Sequence, residues 1–548
     1  MGTPREREEL PWWQTGVVYQ VYPRSFQDSN GDGVGDLPGI TSRLDHLVAL
    51  GVDAVWISPF YPSPMKDFGY DVADYCGVDP LFGTLDDFDR LVAAAHAREL
   101  EVIVDWVPNH SSDQHPWFQA SRRSRTDPHR DWYVWRDPAP GGGPPNNWAA
   151  TFGGPAWTFD EATGQYYLHL FLPEQPDLNW RNPALRRAML DTLRFWLDRG
   201  VDGFRIDVAH RILKDPALRD NPPNPGTARG FHKSLGDYDA QLHVHDGAHA
   251  DAHDVYREIR RLVDGHDPRR ARVAIGEIHV YDPLALVAWY GAGLDELHMP
   301  FNFTLLATPW TAAAIRGAVD AMEAALPAGA WPNWVLGNHD ESRVATRLGA
   351  REARAAMVLL LTLRGTPTIY QGDELGMEDV PVPPGRLQDP FGKRVPGLGL
   401  GRDPERSPMV WDGSANAGFA APGVTPWLPL AQDAARRSVA AQAGDPTSML
   451  SLTRALLRLR RERASLHRGS YRPVEGVPPD VFAYVREEGP DRVLVAIHFA
   501  DGAVRLALPE PARAVLASTH PGAALSAPRE VELRGHEALI VELAAGPR

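Results

Sequence analysis

A single cysteine, Cys76, is all the chain has. No internal disulfide can form, and a cysteine-based metal site is excluded. Long apolar runs are missing too: the longest, Ala355 to Leu363, falls far short of the ~20 residues that a membrane-spanning helix needs. Met1 to Leu10 is polar and charged, without the apolar segment of a secretory signal, so the cytoplasm is the expected compartment and no membrane partner is expected. Positive charge is scarce, with 56 Lys and Arg against 71 Asp and Glu, a net charge of −15 that argues against a nucleic-acid surface. No internal repeat or low-complexity segment is present. What remains has 43% hydrophobic and 23% charged residues, an ordinary globular make-up, loop-rich with 49 Gly and 50 Pro. At 548 residues it is long enough for a large domain plus one or two smaller ones.

Eight short β-branched or aromatic runs punctuate the first 371 residues: 16–26, 52–59, 101–110, 203–210, 272–278, 296–303, 334–340 and 366–371. Amphipathic helical stretches lie between many of them, among them 40–50, 85–100, 183–199 and 255–263. Strands alternating with helices predict parallel βα units, and eight of them predict a (β/α)₈ barrel. Residues 111–178 break the pattern with Trp, Pro, Gly and Asn and one hairpin-like stretch, so they read as an inserted subdomain. A helix over 448–462 ends the barrel region, and short alternating runs after it predict a C-terminal antiparallel β-sandwich. The domains are therefore 1–110 with 179–465 for the barrel, 111–178 for the insert and 466–548 for the C-terminal unit. Trp56, Trp106, Trp196 and Trp334 read as barrel packing, and His46 and His96 as helix-surface residues.

Barrel active sites sit at the C-terminal ends of the strands, so the charged residues there carry the chemistry. Asp105, Asn109 and His110 close the third run, Arg205 and Asp207 the fourth, Glu277 the fifth, and Asn338, His339 and Asp340 the seventh. Carboxylates from different strands facing one mouth are costly as scaffold, and paired carboxylates with separate roles are what glycosidic bond cleavage uses. Asp207 beside Arg205 is expected to stay ionised as the nucleophile, and Glu277, with no cation next to it in sequence, to favour its acid form. Asp340 is placed to grip sugar hydroxyls. Separately, Asp28, Asn30, Asp32 and Asp36 alternate with glycines in a loop whose oxygen donors suit a hard cation such as Ca²⁺. The alternative is an Asp/Gly-rich turn without an ion. His249 and His253 have helical spacing, but His/Asp tracts of this kind are usually solvated.

Four segments, Asp105 to His110 (DWVPNH), Gly203 to Asp207 (GFRID), Gly276-Glu277-Ile278 and Asn338-His339-Asp340, resemble in order and spacing the conserved regions of the α-amylase superfamily of glycoside hydrolases. The stretches Gln175 to Trp180, Gly69 to Val72 and Gly401 to Asp403 are similar to the α-glucosidase and oligo-1,6-glucosidase branch, and Asn221 to Pro225 (NPPNP) to a group of bacterial α-glucosidases. The resemblance implies a retaining double displacement. Asp207 would form a covalent glucosyl-enzyme, Glu277 would act as acid then base, and Asp340 would stabilise the transition state. Arg205, His110 and His339 would bind the non-reducing glucose, with Tyr70 stacking on it. An Asp71–Arg402 pair would close the pocket behind that sugar, and Phe152 and Phe171 would wall it. The 28–36 loop would be a structural calcium site, with Val34 supplying its carbonyl oxygen.

Three readings follow. The first is an exo-acting α-glucosidase on short oligosaccharides or glucosides; the second is a glucosyl transferase or sugar isomerase using the same intermediate. The third is a non-catalytic relative, against which the complete triad stands. Val208 accompanies α-1,6 preference in some relatives, but other α-glucosidases with the NPPNP run also carry a branched residue there, so the linkage stays open. So does the choice between monomer and homodimer.

Overall fold

Each apolar run forms a short strand buried on both faces, as parallel barrel strands must be. They are β1 Val18–Val21, β2 Ala54–Ile57, β3 Glu101–Trp106, β4 Gly203–Ile206, β5 Val273–Glu277, β6 Met299–Phe301, β7 Asn333–Val335 and β8 Thr366–Tyr370. The computed structural model describes residues 10–226 and 233–544, so all but Leu10 of the polar amino-terminal stretch read above lies outside the described residues. All the ladder pairs are parallel, in the order β7-β8-β1-β2-β3-β4-β5-β6, and β6 lies beside β7 to complete the barrel. The strands are shorter than the runs that predicted them because the chain leaves the sheet while still buried. Asp207 comes directly after β4, and Asp340 lies five residues beyond β7.

The outer helices form where caps and apolar spacing agree. Leu85–His96 starts on a capping box made by Thr84 and Asp87 and buries Phe88, Leu91, Val92 and Ala95. Pro183–Asp198 is capped by Asn182, whose side-chain oxygen accepts from the Ala184 and Leu185 amides. The helix expected over 40–50 is two pieces, Leu37–Ser42 and Leu44–Leu50, broken at Arg43. The apolar run at 355–363 falls in helix Ala350–Thr362, which is buried between helix Met449–Glu462 and the C-terminal sheet.

The insert carries a three-stranded antiparallel sheet, Trp135–Arg136, Gln165–Leu168 and Trp157–Asp160, packed on helix Pro116–Arg123. The isolated bridge His110↔Asp177 and the Leu178 amide, which donates to the Asn109 carbonyl at 2.9 Å, tie it to the segment after β3, so its loops hang over the barrel mouth. The C-terminal unit is two antiparallel sheets facing each other across Val485, Leu494, Val531 and Val541. Arg460 and Arg486 fix it to the barrel region. Both are fully buried and donate to backbone carbonyls, among them Leu361, Gly365 and Leu466 from Arg460 and Thr362 and Gly469 from Arg486.

Two histidines differ from the surface role read for them. His46 is buried, 3.2 Å from Glu374 and edge-on to Trp411, and His96 pairs with Asp202 at 2.7 Å. His253 is not a solvated residue either: it pairs with Glu296 and stacks on Trp289. Periodicity marks the helix face, but not a partner arriving from a neighbouring βα unit. The four tryptophans pack inside, Trp56 with its ring under the Arg205 guanidinium.

Candidate active site

Arg205 is the hub. Projecting from β4, its Nη1 donates to Asp105 of β3 at 2.9 Å and to Asp207 at 2.8 Å, and its Nη2 to Glu277 of β5 at 2.9 Å. Three carboxylates from neighbouring strand ends thus share one fully buried guanidinium. Val208 turns the chain sharply after Asp207: its φ of 33° is left-handed, a strain of about 1–3 kcal/mol for a branched residue. That turn aims the Val208 amide at Glu277, and it donates to Oε2 at 2.8 Å. Positive φ also explains Gly69 (φ 106°), where a Cβ would press on Pro59, and which presents Tyr70 to the pocket. Tyr70 donates to Asp105 at 3.0 Å and lies flat against His339, with centroids 5.4 Å apart at 4°.

The fold surrounds the two central acids differently from what their sequence neighbours suggest. Burial and the adjacent Glu277 carboxylate push Asp207 well up, against the pull of Arg205. Glu277 is held below the usual carboxylate range, because Arg205 and His279 outweigh the burial that would raise it. Sequence adjacency gave Arg205 to Asp207 alone; folding gives it to Glu277 as well and adds His279, whose Nε2 donates to Oε1 at 3.1 Å. Burial pushes His110 down to about 4 and His339 down to about 3, so both are neutral rings near pH 7.

A second arginine pair closes the inner end. Arg402 donates to Asp67 at 2.7 Å, to Asp389 at 2.6 Å and to Asp340 at 3.0 Å, and Arg406 reaches the same Asp340 oxygen at 2.6 Å. Against burial, His339 and these two cations hold Asp340 well below the usual range. The partner of Arg402 is therefore Asp67 and not Asp71. Asp71 is buried in its own turn, accepting from Ser63 Oγ at 2.8 Å and from the Lys66 and Asp67 amides at 2.9 Å each. Burial raises it to about 6. Its place is one residue after Tyr70, yet the chain turns Asp67 inward and Asp71 away. Asp67, Asp389, Arg406 and His279 were missed by sequence reasoning; the signal for Arg406 was its position four residues after Arg402, on the same loop.

These groups line a cavity open to solvent, with Phe152 and Phe171 of the insert as one wall and His110, Asp207, Glu277, Asp340, Asp67 and Arg402 also lining it. Arg205 and His339 sit just behind that lining, fully buried. Three arginines meet six carboxylates here, which gives a site poor for anions and suited to a neutral ligand that develops positive charge.

The 28–36 loop folds as successive turns. Asp28 accepts from the Asn30, Gly31 and Gly33 amides, Asn30 from Asp32, and Asp32 from Val34, while Asp36 caps the helix starting at Leu37. The side chains of Asp28, Asn30, Asp32 and Asp36 offer carboxylate and amide oxygens, a set that fits a hard cation. The described trio whose ligand atoms do lie within 4.8 Å of one another is elsewhere: His96, Glu101 and Asp202, at the amino-terminal end of the barrel. Arg270 lies in that trio, within ion-pair reach of Asp202 and of Glu101, so it is an ion-pair network.

A (β/α)₈ barrel with paired acids at its mouth and an insert after β3 defines the class as a sugar-processing enzyme. Residues 20–469 match the model of the α-amylase catalytic domain, and the chain belongs to that family. It is 43% identical over 515 residues to a probable α-glucosidase of Rhizobium meliloti, covering 91% of each chain. It is 36% identical over 539 residues to the oligo-1,6-glucosidase of Parageobacillus thermoglucosidasius, covering 92% of this chain and 93% of that one. Among solved structures it is similar to the α-glucosyl transfer enzyme XgtA, at 41% identity and a TM-score of 0.91, covering 98% of this chain and 100% of the other.

Proposed function

We propose that the protein is an exo-acting, retaining α-glucosidase that removes a terminal non-reducing α-glucosyl unit from short oligosaccharides or glucosides. The observation that carries this is a pocket closed at its inner end by Arg402, Asp67 and Asp340, with Asp207 and Glu277 held by one guanidinium at its throat. A single sugar can enter such a pocket end first. In the first step the Glu277 carboxyl gives its proton to the glycosidic oxygen as the bond to the anomeric carbon breaks, and an Asp207 oxygen bonds to that carbon. In the second, Glu277 takes a proton from water as the water oxygen attacks and the Asp207 ester bond breaks. Asp340, kept ionised by Arg402 and Arg406, grips hydroxyls and favours the positive charge that develops at the ring. For the first step the proton shared within the Arg205 cluster has to sit on Glu277.

Glucosyl transfer by the same intermediate is the second reading, favoured by the similarity to XgtA. The two differ in whether water or a sugar reaches the ester. The test is product analysis after incubation with maltose, isomaltose, sucrose and trehalose separately, beside an Asp207→Asn variant. Free glucose, lost in the variant, supports the hydrolase; larger or rearranged sugars support transfer; no turnover of any of the four overturns both. For the 28–36 loop we propose a structural Ca²⁺ held by Asp28, Asn30, Asp32, Asp36 and the Val34 carbonyl. No described helix is long and apolar enough to cross a membrane.

A further inference from the structure

Glu277 has to serve as an acid and then as a base, so what holds its two oxygens decides how readily it changes role. Oε2 takes the Val208 amide and Oε1 takes Arg205. Both donors are fixed: one is backbone, and the other is buried and shared with Asp105 and Asp207. The third donor, His279 Nε2 at 3.1 Å from Oε1, differs because it belongs to a side chain on the cavity wall. Its ring lies parallel to Phe303, with centroids 4.7 Å apart at 4°, and edge-on to His210 at 5.9 Å. Phe303 in turn packs on Phe301 of β6. The imidazole is thus aimed by the neighbouring barrel unit.

We propose that His279 is a positioning residue for Glu277: its Nε2–H orients the carboxylate and favours the ionised form that the water-activating step requires. The inference rests on the glucosidase reading above. Glu277 is held low by the combined pull of Arg205 and His279 against its burial. The other charged and titratable groups that face it are Asp207, Asp105, His210 and Asp340. Because those groups and Arg205 stay in place when only His279 changes, its contribution can be isolated.

The experiment uses two variants of the full chain and p-nitrophenyl α-glucoside as substrate. His279→Phe keeps a ring against Phe303 and removes the N–H, whereas His279→Gln keeps an N–H donor. Losing a donor to a carboxylate destabilises its charged form, so its pKa rises. The alkaline limb of kcat/KM, which reports loss of the proton shared by the Asp207–Glu277 pair in the free enzyme, is expected to move up by about one pH unit in His279→Phe, a tenfold change in the pair's ionisation constant. The Gln variant is expected to return it to within a few tenths of a unit of wild type. An unmoved limb in His279→Phe, with the wild type active, overturns the inference, as does an equal displacement in both variants, since packing alone would then explain it. A wild type unable to turn over any α-glucoside overturns the glucosidase reading instead.

Discussion

The inner end of the pocket separates two aspartates four residues apart, and exchanging each for asparagine tests that separation. Asp67→Asn preserves shape but removes the charge facing Arg402 and puts an amide where Asp67 Oδ2 accepts from Gln175. Arg402 keeps Asp389 and Asp340, so no guanidinium is orphaned, and the stability loss should stay near 1 kcal/mol. In the pocket, a charged acceptor for a sugar hydroxyl is gone. A hydrogen bond to a charged group contributes about 1.5–3 kcal/mol, so kcat/KM should fall roughly 10- to 150-fold. Asp71→Asn does the opposite. It turns an acceptor of three bonds into one whose amide confronts a buried backbone N–H, which costs about 1–3 kcal/mol of stability. Activity should change less than about tenfold, because Asp71 touches no part of the cavity. Steady-state kinetics on an α-glucoside, with thermal unfolding of each variant, reads both. If Asp71→Asn lost activity as severely as Asp67→Asn while melting like wild type, the assignment of Asp67 would be wrong.

Glu405 is fully buried and raised to about 8 by that burial and by Asp379. A carboxyl raised on folding is protonated in the native state and ionised in the unfolded one, so stability is lost as pH rises from about 4 through about 8. Glu405→Gln should remove that contribution, and unfolding measured at pH 5 and pH 8 should show wild type losing a few kcal/mol more than the variant between them. Chelation with EDTA should lower the thermal midpoint if the 28–36 loop holds Ca²⁺, and excess Ca²⁺ should restore it. An unchanged midpoint would remove the ion. Arg460→Met should lower stability by about 3 kcal/mol by leaving the Leu361, Gly365 and Leu466 carbonyls unpaired, with no effect on KM. A variant as stable as wild type would contradict that role.

Where chemistry and periodicity coincide, the sequence was legible. The eight apolar runs with intervening helices predicted the barrel, because parallel strands buried on both faces leave continuous β-branched text. The site acids were legible because a charge at the end of such a run has no structural reason to be there. What escaped were partners brought by loops. Nothing near Asp67 in the sequence says that it faces Arg402, 335 residues away. His279 reads as a loop residue until β6 supplies Phe303 as its stacking surface. Nor did adjacency reveal that Arg205 serves Glu277 as fully as Asp207, since that depends on strand order and on the turn at Val208.

The double displacement through Asp207 makes one direct demand on the product. Proton NMR of the first sugar released from an α-glucoside, recorded before mutarotation, should show α-glucose, because two inversions at the anomeric carbon restore its configuration. First-formed β-glucose would contradict the covalent role of Asp207 and mean that the two carboxyls act on a water held between them.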